Sequence, residues 1–433
     1  MRIFTLDYQH ALIAKDELQE ALAHLKSEQQ KIAQARQHGY KTDYASLNLP
    51  FDADIVTQCE DLAQQKRSLD PHLLVVVGIG GSNLGAKAVY QAAQEIGHAN
   101  ELPVIWADTI DPDYVQQLLD KAKQILDNGF PILVTIISKS GTTTETAALA
   151  QIFIDLVKHY YPDEYSDHIV VITDNDSPLW NLAQSNKFSS LAIPKQVGGR
   201  YSVFSAAGLF PLAMLGIAID QLVVGAKKIL EDYANKTDDA AISAALIFLL
   251  KNKGKTIHDF FVWSPAWQKV GAWYRQLMGE SIGKQYALDG SEIFNGITPT
   301  VSVGTTDLHS VGQLYLAGPR DKSTCFVSFD NLPSEPKVPQ LNSFNHVIEH
   351  IQGKSLAQIL HAIEQGVYDA YQQQGLPFMH VRIPEKNAYY LGQFMQYKML
   401  EMIYLGYLCN INPFDQPQVE LYKNVTRRIL AHD

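Results

Sequence analysis

The chain has 433 residues, which is too long for one small module and suits two or three domains. Its 46% hydrophobic and 19% charged residues support well-filled cores and exclude a mostly disordered chain. Lys and Arg number 35 against 46 Asp and Glu, so the net charge of −11 argues against nucleic acid or an anionic membrane as the main partner.

The cysteines and the apolar stretches bear on the cellular compartment of the protein. Cys59, Cys325 and Cys409 have no CxxC spacing, so we expect neither a disulfide framework nor a thiolate metal site. Residues 1–8 show no apolar signal-peptide region, and we expect a cytoplasmic protein. The longest apolar stretch, residues 203–219, contains Ser205 and Pro211 and predicts a buried helix instead of a membrane span.

Along the chain, helical spacing of apolar residues first predicts an N-terminal helix over residues 12–39. Short, nearly continuous apolar runs then follow, which is typical of parallel strands buried on both faces. These predicted strands cover residues 73–79, 104–107, 132–137, 169–173 and 191–194. Helix-length segments, such as residues 85–96 and 146–159, separate most of them and indicate a doubly wound β-α-β arrangement.

A second series of strands repeats this pattern after a helical region between residues 203 and 250. Its predicted strands cover residues 260–263, 301–304, 325–329 and 378–383, and a helix follows over residues 388–409. The sequence therefore predicts an α/β protein with two doubly wound, mainly parallel α/β/α sandwich domains. We predict five parts: an N-terminal helical segment (1–50), a first domain (51–200), connecting helices (201–245), a second domain (246–410) and a tail (411–433).

A glycine-rich loop, Gly78-Ile79-Gly80-Gly81-Ser82-Asn83-Leu84-Gly85, follows the first buried strand and opens a helix. Glycines let the backbone approach an anion closely, and free N–H groups of the first helical turn face it. Two nucleotide-binding patterns fail here. A dinucleotide fingerprint needs glycine where Asn83 stands, and a Walker A loop needs lysine where Ala86 stands.

The second loop, Ser138-Lys139-Ser140-Gly141-Thr142-Thr143-Thr144-Glu145-Thr146, is rich in hydroxyl groups and also lies between a buried strand and a helix. Helix capping, with Glu145 completing a capping box, explains one or two of these residues. A phosphate monoester at the helix N-terminus explains the whole cluster, because hydroxyls and backbone N–H groups satisfy its oxygens. We therefore predict a phosphate site.

Four further motifs accompany the loops: Gly198-Gly199-Arg200-Tyr201-Ser202, Gln276-Leu277-Met278-Gly279-Glu280-Ser281, Gly304-Thr305-Thr306-Asp307-Leu308-His309-Ser310, and Gln416-Pro417-Gln418-Val419-Glu420-Leu421-Tyr422-Lys423. In this order the six motifs resemble the glucose-6-phosphate isomerase family in its compact bacterial form, with two sugar isomerase (SIS) domains. Ile282 and the extra chain between Lys284 and Thr305 depart from the family pattern, and the extra chain lengthens the path from Glu280 to His309.

The resemblance implies metal-free interconversion of glucose 6-phosphate and fructose 6-phosphate through a cis-enediol, in glycolysis and gluconeogenesis. It implies a homodimer in which the histidine reaches the neighbouring active site. Glu280 would be the base, because partial burial raises the pKa of a carboxylate towards neutrality. The other implied catalytic residues are Arg200 for the enediolate charge, and His309 and Lys423 for ring opening. The implied substrate contacts are Gly81, Ser82, Ser138, Lys139, Ser140 and Thr143 for phosphate, and Gln276 for sugar.

Several of these assignments have a simpler structural alternative. Glu280 could pair with Lys284 one helical turn away, and Arg200 could form a structural salt bridge. The HxxEH pattern of residues 346–350 formally fits a zinc site, but we identify no third ligand for it, so we predict no metal and no cofactor. Two other functions stay open: a sugar-phosphate sensor that needs no base, and an isomerase that also accepts mannose 6-phosphate.

Overall fold

The computed structural model describes residues 4–94, 102–232, 238–334, 336–344, 346–348 and 350–431. The N-terminal part contains a strand and three helices, which are β1 (Thr5–Asp7), α1 (Lys15–His24), α2 (Lys26–His38) and α3 (Ala53–Arg67). A 3₁₀ segment, Asp43–Phe51, connects the last two helices. Asp52 caps α3, because its carboxylate accepts the backbone N–H of Ile55.

The first sheet consists of five parallel strands in the order β3-β2-β4-β5-β6. Its strands are β2 (Leu73–Val77), β3 (Val104–Ala107), β4 (Ile132–Ile137), β5 (Ile169–Thr173) and β6 (Ser189–Ala192). Its helices are α4 (Leu84–Gln94), α5 (Pro112–Asp127), α6 (Thr144–Tyr160) and α7 (Pro178–Ser185). Alternate residues of β2 join separate apolar cores on the two faces of the sheet, as expected for a strand covered by helices on both sides.

Three helices connect the two sheets: α8 (Ala206–Met214), α9 (Ile219–Asp232) and α10 (Asp239–Asn252). All nine residues of α8 are buried, which confirms the predicted core helix. Among the described residues, no helix is long and apolar enough to cross a membrane.

The second sheet has the order β1-β12-β11-β7-β10, parallel except for β1. Its other strands are β7 (Ile257–Val262), β10 (Thr298–Val303), β11 (Lys322–Phe329) and β12 (Phe378–Ile383), while β8 (Lys284–Tyr286) and β9 (Glu292–Asn295) form a separate antiparallel pair. The helices are α11 (Gln268–Ile282), α12 (Gly312–Ala317), α13 (Leu356–Gln373), α14 (Ala388–Leu408) and α15 (Val419–Leu430). The predicted fold of two doubly wound α/β/α units is confirmed.

The two ends of the chain differ in detail from the prediction. The N-terminal segment contains a strand, β1, which pairs with β12 across more than 370 positions of sequence (Thr5 with Arg382). The predicted helix over residues 12–39 is two helices, because Leu25 ends the first and begins the second. The predicted tail contains α15. Residues 95 and 96 of the predicted helix 85–96 lie outside the described residues, and the five-part division stays a prediction.

Candidate active site

The glycine-rich loop lies against the Gly198–Ser202 segment. A Cβ atom on Gly81 would stand 2.1 Å from the carbonyl carbon of Gly199, so only glycine permits this approach. Gly80 has a φ of +58°, which side chains rarely adopt. Ser82 is half-buried, and its Cβ lies next to Gly78 at the end of β2. The sequence therefore brings this loop to within contact distance of Arg200.

The hydroxyl-rich loop holds its side chains together at the end of β4. The buried Ser138 hydroxyl lies 3.2 Å from the Thr143 hydroxyl, and Ser140 accepts the backbone N–H of Thr142 at 3.3 Å. Thr143 is the N-cap residue of α6, yet its side chain makes no capping hydrogen bond within the described chain. Gly141, with a φ of +68°, packs against Leu179. The capping alternative therefore does not account for Thr143.

Lys139 connects this loop with the Arg200 segment. Its Nζ atom donates to the Lys195 carbonyl at 3.2 Å. Burial lowers the pKa of Lys139, the nearby Asp174 opposes this, and the positive charge of Arg200 lowers the pKa further. The positive charges of Lys139 and Arg200 both favour an anion bound in this region.

Arg200 is the most connected side chain of the site. Only 2% of the residue is exposed. The guanidinium donates to five acceptors: the Ser281 hydroxyl, the Glu280 carboxylate, the Gln416 side-chain oxygen and the carbonyls of Pro413 and Asp415. A buried charge needs this degree of hydrogen bonding. Arg200 therefore has an acidic partner, Glu280, which lies 80 positions further along the chain.

Glu280 lies near the end of α11, with 29% of its side chain exposed. One carboxylate oxygen accepts from Arg200 at 3.3 Å and the other from Gln276 Nε2 at 3.0 Å. Lys284 does not pair with this carboxylate; its Nζ donates to the main-chain carbonyls of Glu280 and Asp415. The helical ion-pair alternative is therefore wrong for Glu280.

Gln276 bridges Glu280 and the glycine-rich loop. Its Nε2 atom would lie 3.1 Å from a Cβ on Gly80. Its Oε1 atom is buried and has no hydrogen-bond partner among the described residues. A buried acceptor without a partner costs roughly 1–3 kcal/mol, so this oxygen can gain from a hydroxyl group placed beside it.

Gln416 belongs to the site although we did not predict a role for it. Its Oε1 atom accepts from Arg200 at 2.6 Å. The neighbouring Asp415 carboxylate lies 3.3 Å from the Lys284 ammonium, whose pKa is lowered by burial and by Arg200. The sequence feature that could have indicated a role for Gln416 is its position at the start of the last motif. The main chain of residues 413–415 thereby closes the site behind the guanidinium.

His309 and Lys423 lie apart from this cluster. His309 ends a 3₁₀ turn after β10 and is exposed, and its side chain makes no hydrogen bond or ion pair with any described residue. Lys423 lies on α15, and its Nζ atom pairs with Glu420 Oε1 of the same helix at 2.8 Å. The structure therefore brings Arg200, Glu280, Gln276 and the two loops together, but it adds neither residue to them within one chain.

Metal ligands do not converge in the described part of the chain, where no group of three or more His, Cys, Asp or Glu residues could hold an ion. The HxxEH pattern includes Glu349, which lies outside the described residues. His350 has a left-handed backbone, with a φ of +68°, so the segment is not a regular helix there. The i, i+4 histidine pair of a zinc helix is therefore not formed.

Comparisons with known proteins match most of the chain. The model of the phosphoglucose isomerase family matches residues 67–433. A glucose-6-phosphate isomerase from Leuconostoc mesenteroides is 33% identical over 404 residues, which cover 90% of this chain and 86% of that protein. The structure of a hypothetical protein from Thermus thermophilus covers 99% of this chain and 100% of that one, with a TM-score of 0.86 and 29% identity.

A crystal structure of a glucose-6-phosphate isomerase from Chlamydia trachomatis covers 99% of this chain and 88% of that one, with a TM-score of 0.81. At 22% identity this likeness supports the fold. The family match includes both loops, Arg200, Glu280 and the C-terminal motif, and it spans most of the sequence. The chain therefore belongs to the phosphoglucose isomerase family.

Proposed function

We propose that the site formed by the two loops and α11 interconverts glucose 6-phosphate and fructose 6-phosphate. Membership of the family supports this aldose–ketose isomerase activity. The observation that carries the proposal is the contact of Glu280 with Arg200 and Gln276, beside two loops suited to phosphate. A carboxylate, a cation and an anion site are what proton transfer within a phosphorylated sugar requires.

Glu280 is the proposed base that moves a proton between C1 and C2. Its side chain is partly exposed, so a substrate can reach it, and two hydrogen bonds fix its orientation. Arg200 is proposed to stabilise the negative charge of the cis-enediolate. It is held from behind by Ser281, Pro413 and Asp415, so it needs no rearrangement as that charge develops.

The substrate phosphate is proposed to bind at the N-terminus of α6. Ser138, Ser140 and Thr143 supply hydroxyls there and Lys139 supplies a positive charge, while Gly81 and Ser82 lie on the loop that follows the neighbouring strand β2. The N-terminal end of the helix dipole favours the same anion. Gln276 Oε1 is proposed to accept a sugar hydroxyl.

We further propose a homodimer in which His309 acts in the neighbouring active site and Lys423 assists ring opening. His309 is exposed and has no partner in the described chain. Large apolar side chains are exposed on the β8–β9 pair and on α15, namely Tyr286, Leu288, Phe294, Leu421, Tyr422 and Leu430. Gln418 donates to Gln285, so the start of α15 lies beside β8, and exposed apolar side chains of this kind suit a dimer interface.

The cytoplasm is the proposed location. Cys59, Cys325 and Cys409 are unpaired, in agreement with a reducing compartment. The proposed partners are the sugar phosphate and a second copy of the chain, without nucleic acid, membrane or cofactor.

The activity is tested with purified protein and fructose 6-phosphate, with glucose 6-phosphate detected by a coupled dehydrogenase. We expect turnover in the presence of a chelator and, for Glu280→Gln, loss of both turnover and solvent exchange of the C2 proton by at least about 10³-fold. A protein that binds the sugar phosphate without turnover is a sensor and contradicts the proposal. Assay with mannose 6-phosphate separates the bifunctional alternative.

Subunit sharing is tested by mixing two inactive variants, Glu280→Gln and His309→Ala, after dissociation and reassociation. If the site takes Glu280 from one subunit and His309 from the other, each mixed dimer has one intact site. Half of the dimers are mixed, so about one quarter of the wild-type activity returns. Absence of any recovery, with exchange verified by native mass spectrometry, shows that each subunit uses its own histidine.

A further inference from the structure

We infer that Asp259 is a positioning residue for ring opening, because its buried carboxylate holds both ends of the segment that presents His309. This inference rests on the proposed role of His309. Asp259 lies on β7 and is fully buried. One of its oxygens, Oδ1, accepts three hydroxyl groups: Thr300 at 2.6 Å, Ser302 at 3.0 Å and Tyr315 at 3.0 Å.

These three hydroxyls flank His309 in the sequence. Thr300 and Ser302 lie on β10, directly before the turn that ends at His309. Tyr315 lies on α12, which begins three residues after the histidine. The Asp259 carboxylate therefore connects the strand that enters the His309 segment with the helix that leaves it, although it lies about 50 positions earlier in the chain.

The segment needs such an anchor because β10 is an edge strand. It pairs only with β7, so its other side receives no support from the sheet. Within the turn, Asp307 accepts the backbone N–H of Val303 at 2.7 Å and the Ser310 hydroxyl at 2.8 Å, which fixes the local loop shape. The Asp259 contacts add the orientation of this loop relative to the sheet.

Maintaining a carboxylate here is costly, which points to a specific use. Asp259 has no ion-pair partner among the described residues, and its second oxygen, Oδ2, is buried without a hydrogen bond. Burial raises the pKa of Asp259 to about 6, and the three hydroxyls act in the opposite direction. An apolar residue would avoid this desolvation, but it could not gather three hydroxyl donors at one point.

The position of His309 matters because ring opening requires a proton at one atom of the sugar. Displacing a catalytic group by about 1 Å costs roughly 10²-fold in rate. A loosened His309 segment should therefore slow ring opening, while the phosphate loops, Arg200 and Glu280 stay as they are. Anomer interconversion of glucose 6-phosphate reports ring opening alone, since it moves no proton at C2.

The experiment compares Tyr315→Phe and Asp259→Asn with the wild type in the assembled protein. Tyr371→Phe is the matched control, because Tyr371 is also buried beneath the same face of the second sheet but makes no hydrogen bond to Asp259. Enzyme-catalysed anomerisation is measured by exchange NMR, and affinity for a phosphorylated five-carbon aldonic acid, an acyclic enediolate mimic, is measured by calorimetry. His309→Ala provides the reference for loss of the histidine.

We expect Tyr315→Phe and Asp259→Asn to lower anomerisation about tenfold or more, with affinity for the mimic within about twofold of wild type. Tyr371→Phe should change neither. Equal losses of anomerisation and mimic affinity, or no loss of either, overturn the inference. If His309→Ala leaves anomerisation intact, His309 has no role in ring opening and the inference fails with that role. If His309→Ala abolishes anomerisation but the Asp259 and Tyr315 variants do not lower it, only the inference fails.

Discussion

Arg200 Nη1 donates to Glu280 Oε2 at 3.3 Å, and the two side chains differ sharply in exposure: 1% for Arg200 and 29% for Glu280. The positive charge is thus fixed inside the protein while the carboxylate next to it reaches solvent. A buried cation acts through a lower effective dielectric than an exposed one, so it acts more strongly on charge that forms nearby. The proposed base is therefore accessible to substrate, while the proposed charge-stabilising group lies buried beside it.

Replacing Arg200 by Lys keeps the charge but removes the planar group that reaches five acceptors. We expect kcat to fall about 10²- to 10³-fold, because lysine cannot donate to Glu280, Gln416 and the 413–415 carbonyls together. Stability should also fall by about 2–4 kcal/mol from acceptors left without donors. Steady-state kinetics and chemical denaturation measure the two effects. A variant with near-normal kcat contradicts the proposed role.

Gly81→Ala should disrupt the contact between the glycine-rich loop and the Arg200 segment. The new Cβ would meet the Gly199 backbone at 2.1 Å, so one of the two chain segments must move. We expect KM for fructose 6-phosphate to rise at least about tenfold, since both phosphate and Arg200 are displaced.

The matched control for Gly81→Ala is Gly366→Ala on α13, where a Cβ would have no atom within 4 Å. This change should leave KM unaltered and stabilise the helix by roughly 0.5–1 kcal/mol. Equal KM values for the two variants would show that the close approach at Gly81 does not contribute to substrate binding.

Breaking the buried ion pair on α14 should lower the free energy of unfolding more than breaking a surface pair. Lys398 and Glu401 lie 2.7 Å apart with fully buried side chains, and Ser243 and Tyr274 also donate to Glu401. Lys398→Met leaves the carboxylate buried without its cation, so we expect a loss of about 3–5 kcal/mol in unfolding free energy. The double variant Lys398→Met, Glu401→Gln should recover part of this loss.

The exposed pair Lys253–Glu17 serves as the control for the buried Lys398–Glu401 pair. Its side chains are 43% and 38% exposed, and Lys253→Met should cost no more than about 1 kcal/mol. Denaturant titrations of the wild type and the three variants give the comparison, and similar losses for both single variants would contradict the buried-charge argument.

His258 should make the fold sensitive to acid. It is fully buried, and burial, together with the charge of Lys398, lowers its pKa from 6.5 to about 3. Between these pH values the unfolded chain binds a proton at His258 that the folded chain does not, so the contribution of His258 to stability decreases as pH falls from about 6.5 to about 3. Asp259, with its pKa raised to about 6, opposes this by binding a proton in the folded state first.

We therefore expect His258→Asn to reduce the stability difference between pH 7 and pH 5 by about 2 kcal/mol. His24→Asn, at an exposed position on α1, should leave that difference unchanged. The measurement is the free energy of unfolding at both pH values. Parallel pH profiles for wild type and His258→Asn would exclude His258 as the source of acid sensitivity.

The sequence predicts the strands of the parallel sheets well because burial on both faces leaves a readable signal. The runs 104–107, 132–137, 169–173 and 378–383 match β3, β4, β5 and β12 in the structure. The candidate roles of Glu280 and the loops are equally visible, since candidate catalytic and phosphate-binding residues occur in local motifs. These features depend on neighbours in sequence.

Features that depend on distant segments were not predictable in the same way. β1 has three residues, too few for a period of two to be recognised, and it forms only because β12 offers an edge. Gln416 accepts a hydrogen bond from Arg200 across more than 200 positions, and Asp259 accepts one directly from Tyr315, 56 positions further along the chain. No local pattern specifies which distant partner such residues find.

The pairing of β1 with β12 also affects how the chain folds and how it avoids aggregation. Residues 5–7 are synthesised before the rest of the second sheet, and their partners at 380–382 follow hundreds of residues later. Closing so long a loop is entropically slow, so the second sheet completes its edge late. Until then β12 presents open backbone groups to other chains. Deleting the first ten residues should therefore promote aggregation during folding more than it weakens catalysis by molecules that have already folded.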